Sequence, residues 1–347
     1  MIGPCSDAAR MRWTSTFKRR RRRTFAAALR ISLVAIDNAT GRLAGWYTIS
    51  AKTVPSSRDG AEGYDRTMTP LVELTAPADL AAKQHHLIAL LRQMSRVIVA
   101  YSGGTDSAYL AWAAREALGN SALAITADSA SIPASHKRDA EDFVHRFGIR
   151  HEYVATREFE NPDYLKNDAN RCFHCKDELF SVLEKLGAER GYSNIVYGVN
   201  KDDLGDYRPG QRAAKLHEVK APLVDAGLTK AEIRELSRQA GLPTWDRPAA
   251  ACLSSRIPYG TPVTIQNIRT VEVGEEELKA LGFRQFRTRF HGELVRIEIA
   301  RDEMPRALNP EMAARFTAIF KNLGYKYVTL DLQGYRQGSL NEVLNSA

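Results

Sequence analysis

Val97-Ile-Val-Ala-Tyr101, then Ser102-Gly-Gly-Thr-Asp-Ser107, then the alanine-rich run from Ala108 decide how this chain is read. The first five residues are continuously apolar, as in a strand buried on both faces of a sheet. The Gly-Gly pair ends that run in a tight turn and leaves bare backbone for other groups to approach. The alanine-rich run predicts a helix whose positive N-terminal end faces the same turn. Strand, glycine turn and helix N-terminus together make a cradle for phosphate. Ser102 and Ser107 add hydroxyl donors, Gly103, Gly104 and Thr105 complete the loop, and Asp106 suits a magnesium ion carrying the phosphates. Asp128, just past the second strand, is assigned to the nucleotide with them. The loop lacks the Lys-Ser/Thr pair of a Walker A motif, which disfavours transfer of a γ-phosphate. The plain alternative is a Ser/Gly turn that only joins strand to helix.

Outward from the loop, the pattern alternates. Leu123–Thr126, Tyr153–Ala155 and Ile195–Val199 read as further buried strands, with a helix over about 135–147 between the first two. Short apolar strands separated by helices predict an α/β fold, with a parallel sheet covered on both faces. Thr229-Lys-Ala-Glu232 is a capping box that opens a helix running to about Ala240. Residues 243–262 are rich in Pro, Ala, Ser and Gly and predict a loop. Beyond it a helix over about 265–281, strands near 284–290 and 294–299, a helix over 309–323 and a strand at 327–330 predict a smaller C-terminal α+β domain. The expected division is a nucleotide domain at 76–245, a cysteine-containing junction at 246–262 and a substrate or oligomerisation domain at 263–347. Residues 1–75 carry the run Arg19–Arg23 without clear periodicity and read as a disordered basic extension.

The 347 residues have a formal net charge of +8, but its location matters more than its size. Residues 1–70 hold 13 of the 49 Lys/Arg and 5 of the 41 Asp/Glu, which leaves 36 of each sign for the rest. The remaining body is neutral, which argues against a nucleic-acid partner. No apolar run approaches the roughly 20 residues of a membrane-spanning helix. Four cysteines at uneven spacing are too few for a disulfide scaffold and suit the free thiols of a reducing cytoplasm.

Three of those cysteines carry chemistry. Arg171-Cys-Phe-His-Cys-Lys176 spaces Cys172 and Cys175 so that both thiolates can reach one metal or cluster. Alone, the pair reads equally as half a zinc site or as two small buried residues. Cys252 lies in Pro248-Ala-Ala-Ala-Cys-Leu-Ser-Ser-Arg-Ile-Pro-Tyr-Gly260, a loop that presents its thiol as a nucleophile. Arg256, four residues on, is placed to lower the thiol pKa; the alternative is a packed cysteine in an inert loop. Asp202 and Asp203 follow the fourth strand and either bind magnesium or pyrophosphate, or only cap a turn.

The hexapeptide SGGTDS resembles the PP-loop of ATP pyrophosphatases, which cut ATP between the α and β phosphates. That resemblance implies ATP at the carboxyl ends of the strands, Mg²⁺ and an adenylated intermediate. SGGTDS, RCFHCK, DDLGDYRPG (202–210), ACLSSRIPYG (251–260) and GYRQGSLN (334–341) then occur in an order that resembles the LarE family of sulfur transferases. The resemblance runs from about residue 80 to 345. It implies that carboxylates of pyridinium-3,5-biscarboxylic acid mononucleotide are adenylated and converted to thiocarboxylates for the nickel-pincer cofactor of lactate racemase. It also implies that Cys172, Cys175 and Cys252 hold a [4Fe–4S] cluster fed by a sulfide source, with sacrifice of the Cys252 sulfur as the rival route. Arg287, Arg289 and Arg336 match family positions that hold the substrate's anionic groups, and Glu275 is carried over with them. A homo-oligomer is expected. The other readings are a PP-loop tRNA thiolase, which also combines ATP with paired and distant cysteines, and a non-catalytic ATP sensor.

Overall fold

The computed structural model describes residues 29–36, 43–51, 80–205, 209–248 and 251–336. The chain divides into two units, Met1–Glu73 and Leu74–Ala347. In the first unit, Leu29–Ile36 (β1) pairs antiparallel with Leu43–Ala51 (β2). Leu29, Ile31 and Leu33 alternate with Arg30 and Ser32, the period of a strand. The expectation of a segment without periodicity therefore fails for these two stretches. The five-Arg run lies outside the described residues.

The second unit opens with α1 (Leu80–Met94), β3 (Val97–Ala100), α2 (Thr105–Leu118), β4 (Ala122–Asp128), α3 (Ala134–Arg146) and β5 (His151–Ala155). The short α4 (Pro162–Leu165), α5 (Arg171–Arg190), β6 (Asn194–Tyr197), α6 (Pro209–Leu216), α7 (Pro222–Asp225) and α8 (Lys230–Gln239) follow. The four strands form one parallel sheet in the order β5-β4-β3-β6. Alternate residues of a strand point to opposite faces. Accordingly Val97 and Val99 join one core, with Leu87 and Leu91 of α1 and the alanines of α2. Ile98 and Ala100 join another, with Leu179, Phe180 and Leu183 of α5. Two covered faces are the reason the strand reads as an unbroken apolar run. The chain leaves β3 for β4 on one side and returns to β6 on the other, so the loop after β3 opens at the switch point of the sheet.

The C-terminal part contains α9 (Ile265–Ala280), β7 (Phe286–His291), β8 (Leu294–Ile299), α10 (Met304–Ala307), α11 (Pro310–Asn322) and β9 (Tyr327–Leu330). β7 and β8 form an antiparallel hairpin, and β9 joins β8 in parallel. Helices α9 and α11 approach at Gly274, where an added Cβ would stand 2.5 Å from the Phe320 ring. Leu253 and Ile257 of the junction, with Val263 just beyond it, pack on Tyr164, Ile268 and Val271. The stretch expected as a loop is thus itself core-forming, with a 3₁₀ turn at Leu253–Arg256. Asn167 pins it further by donating from Nδ2 to the carbonyls of Pro258 and Thr261, each at 2.8 Å. No helix among the described residues is long and apolar enough to cross a membrane.

Candidate active site

The loop after β3 is closed by its own serines. The Ser107 hydroxyl accepts from the Ser102 N–H at 3.2 Å, donates to the Gly104 carbonyl at 3.1 Å and lies 3.1 Å from the Ser102 hydroxyl. Gly103 has φ +74°, a conformation that side chains disfavour, so the first glycine is required by the turn. A further glycine, Gly198 at the end of β6, supports the loop from below. A Cβ there would stand 2.6 Å from the Ser107 nitrogen and 2.7 Å from its Cα. Asp106 faces Lys230, the first residue of α8, whose Nζ lies 2.9 and 2.8 Å from its two carboxylate oxygens. Asn200 stands 3.4 Å from the same carboxylate, and its own N–H donates to Asp203 at 3.1 Å. Asp202 accepts from the Lys230 N–H, the first of α8, at 2.9 Å. Asp128, at the end of β4, pairs with Lys137 at 2.5 Å.

One segment then runs from this loop to the thiol. Thr105 donates to the Thr244 carbonyl at 2.8 Å, and Arg247 donates from Nη1 to the Gly103 carbonyl at 2.9 Å. Five residues later stands Cys252. Arg256 does not meet the thiol as an unopposed cation. It is 2% exposed, and its Nε and Nη2 grip the two Glu275 oxygens at 2.9 Å each. Its Nη1 donates to the carbonyls of Ala251 and Cys252 at 2.7 and 2.9 Å. Arg256 therefore positions the Cys252 backbone, and Glu275 balances its charge and accepts from the Thr288 N–H at 3.0 Å. Arg289 holds the same turn from the other side. It donates to the Ser255 carbonyl at 2.8 Å and pairs in bidentate fashion with the buried Glu298 at 3.0 and 2.9 Å.

Cys172 and Cys175 are the second and fifth residues of α5, so the C-x-x-C spacing is that of one helical face. The charges of these two thiols and of Cys252 act on one another. Burial pushes the Cys175 thiol up to about 12. Cys172 reaches solvent, yet desolvation by the surrounding protein, and next the Cys252 charge, raise it too, while Arg171 works to lower it. Arg171 is buried, donates to the Ser254 carbonyl at 2.9 Å and bonds to Asn167, which ties the helix to the Cys252 turn. Among the described residues, no three or more Cys, His, Asp or Glu side chains stand at metal-ligand spacing. The thiols share a neighbourhood without closing to ligand distance.

Beside this segment lies a cavity of about 510 Å³. His136 and Asp139 of α3, Arg247 and Arg256, Glu275 of α9 and Arg287 of β7 are among its walls. Arg287 lies 4.9 Å over the Tyr335 ring. Burial, then the Arg256 charge, shift its pKa downward. Burial, then the charges of Arg247 and Arg256, likewise lower His136. Arg336 follows Tyr335, whose N–H donates to the Ile299 carbonyl at 2.8 Å. Gln337–Asn341 of the same motif lie outside the described residues. The structure thus draws the loop, Cys252, Arg256, Glu275, Arg287 and Arg289 toward one region. Sequence reasoning missed Gly198, Asn200, Lys230, Arg247 and His136, for which only the strand-end Gly-Val-Asn of 198–200 gave a local signal.

No protein-family model matches the chain. Among curated proteins, the pyridinium-3,5-bisthiocarboxylic acid mononucleotide synthase of Lactiplantibacillus plantarum is 33% identical over 272 residues, 78% of this chain and 98% of that protein. An uncharacterized protein of Synechocystis is 42% identical over 265 residues, 76% of this chain and 99% of its own length. One of Methanocaldococcus jannaschii is 27% identical over 241 residues, 70% of this chain and 91% of its own.

Proposed function

This chain belongs to the LarE family of sulfur transferases, and on that footing we propose that it activates a carboxylate with ATP and replaces the activated oxygen by sulfur. The substrate in this reading is pyridinium-3,5-biscarboxylic acid mononucleotide, and its thiocarboxylate product serves a nickel-pincer cofactor. One arrangement carries the reading. The segment from Thr244 to Arg256 is bonded to the phosphate loop at one end and holds Cys252 at the other, with the cavity alongside.

The loop N–H groups, Ser102 and Ser107 would take the phosphates. Magnesium, when bound, supplies charge neutralisation there, and Asp106 and Asp203 are the carboxylates that would hold it. A substrate carboxylate oxygen attacks the α-phosphorus, and pyrophosphate departs with the electron pair of the broken bond. The acyl adenylate then has AMP as a good leaving group when sulfur attacks its carbon. Arg287 and Arg336 would balance the substrate's anionic groups. Cys172, Cys175 and Cys252 are the residues that would hold a [4Fe–4S] cluster, which when bound supplies an iron site for an extra sulfide. The donor set fits that group: three soft thiols from two elements, and a metal overcomes the raised proton affinity of Cys172 and Cys175 by displacing their protons.

Purified anaerobically with iron and sulfide, the protein is expected to show a broad absorption near about 400 nm that disappears in Cys172→Ala and Cys252→Ala. If no iron is retained, and Cys252 is lighter by one H₂S after a single turnover, the cysteine itself is the donor. AMP and pyrophosphate should appear only when the pyridinium carboxylate is supplied. AMP formation driven by tRNA in its place would overturn the substrate.

A further inference from the structure

Arg247 stands at the seam between the phosphate loop and the cavity. Its Nη1 donates to the Gly103 carbonyl and its Nη2 to Asp139, both at 2.9 Å, and it lines the cavity wall. Its backbone is fixed. Its N–H donates to the Thr244 carbonyl at 3.2 Å, and its own carbonyl accepts from Arg234 at 3.0 Å. The other arginines nearby are committed differently. Arg256 is buried on Glu275, Arg289 is buried on Glu298, and Arg287 stands on the far wall against Tyr335. The Arg247 pair with Asp139 is solvent-facing, with side chains 26% and 41% exposed. Such a screened pair is weak, so exchange of Asp139 for another carboxylate costs little.

We propose that Arg247 is a catalytic residue of the activation step, the group that holds the attacking carboxylate of the substrate against the α-phosphate. The proposal rests on the ATP-dependent reading above. In that step one bond forms, from a carboxylate oxygen to the α-phosphorus. One breaks, from the α-phosphorus to the bridging oxygen, and pyrophosphate leaves with the electron pair. No proton moves. Negative charge from two anions is pressed together at the seam, and a planar guanidinium already in place there stabilises it without reorganisation.

The test is exchange of labelled pyrophosphate into ATP, driven by pyridinium-3,5-biscarboxylic acid mononucleotide, beside ATP affinity measured without that substrate. Arg247→Ala is expected to lower exchange by about a hundredfold or more, with ATP affinity within about threefold of the native value. Added guanidinium should restore part of the exchange. Arg247→Lys keeps the charge but loses the fork, and should fall by about tenfold; it also serves if the alanine variant does not fold. Undiminished exchange in Arg247→Ala overturns the proposal. So does a parallel loss of ATP affinity, which would make Arg247 a prop of the loop. If the native protein itself exchanges nothing, the ATP-dependent reading falls first and takes this one with it.

Discussion

Arg256 gives both sides of its fork to Glu275 and its remaining nitrogen to the backbone around Cys252, so one ion pair fixes the position of one thiol. Replacing Glu275 by glutamine leaves a buried guanidinium without its counter-charge, at a cost of about 3–5 kcal/mol. Burial works to raise the Glu275 pKa, but Arg256 and the Thr288 N–H outweigh it and hold the carboxyl below its ordinary 4.5. As pH falls, the unfolded chain therefore takes up this proton first. The stability that the pair contributes is complete above about pH 4.5 and is lost as pH drops through the lower folded value. Melting midpoints between pH 3 and 7 should fall on acidification in the native protein more steeply than in Glu275→Gln. The Cys175 thiol, pushed up to about 12, is expected to resist iodoacetamide at pH 8 in iron-free protein by about a hundredfold or more relative to a free cysteine. Peptide mapping by mass spectrometry reads this directly. These pairings could not be read along the chain: Arg256 and Glu275 are 19 positions apart on different elements. The spacing brings Arg256 to the neighbourhood of the thiol, and only tertiary packing shows that it also holds the Ala251 and Cys252 carbonyls.

Just after β6, Gly198 leaves room for the backbone of Asp106 and Ser107 in the first turn of α2. Gly198→Ala should displace the first turn of α2, cost about 1–3 kcal/mol as overpacking and weaken ATP binding by about tenfold or more. Calorimetric titration with ATP checks it, and an unchanged affinity would show that the loop tolerates the shift. At this scale much of the fold was legible. β3 and its loop were fixed by an apolar run and two glycines, and α8 by the Thr229–Glu232 capping box, which the structure shows with both of its hydrogen bonds. The strand at Tyr327–Leu330 lies where its β-branched and aromatic residues placed it. Helix α5 was not anticipated, because Asn170 makes no side-chain cap and the cysteines near its start invited a reading by spacing rather than by period. The junction read as a loop from its Pro, Ser and Gly, whereas Leu253 and Ile257 bury themselves in a core with Tyr164 and Ile268.

The unit from Leu74 to Ala347 contains the loop, the cysteines and the cavity wall. A protein beginning at Leu74 is therefore expected to melt within about 2 °C of the full chain and to bind ATP equally. A loss of fold on removal of the first 73 residues would show that they complete the core. Because Tyr164 of α4, Leu253 of the junction and Ile268 of α9 share one buried cluster, a single cooperative transition is expected in the calorimeter. The short segment from Thr244 to Arg256 reaches from the phosphate loop to the thiol, while Arg287 and Tyr335 come from the C-terminal wall. On the proposed reading, the stretch that activates and the wall that meets the far end of the substrate lie apart along the chain. A graft that exchanged the C-terminal wall is then expected to redirect the reaction to a different acid without rebuilding the activating stretch.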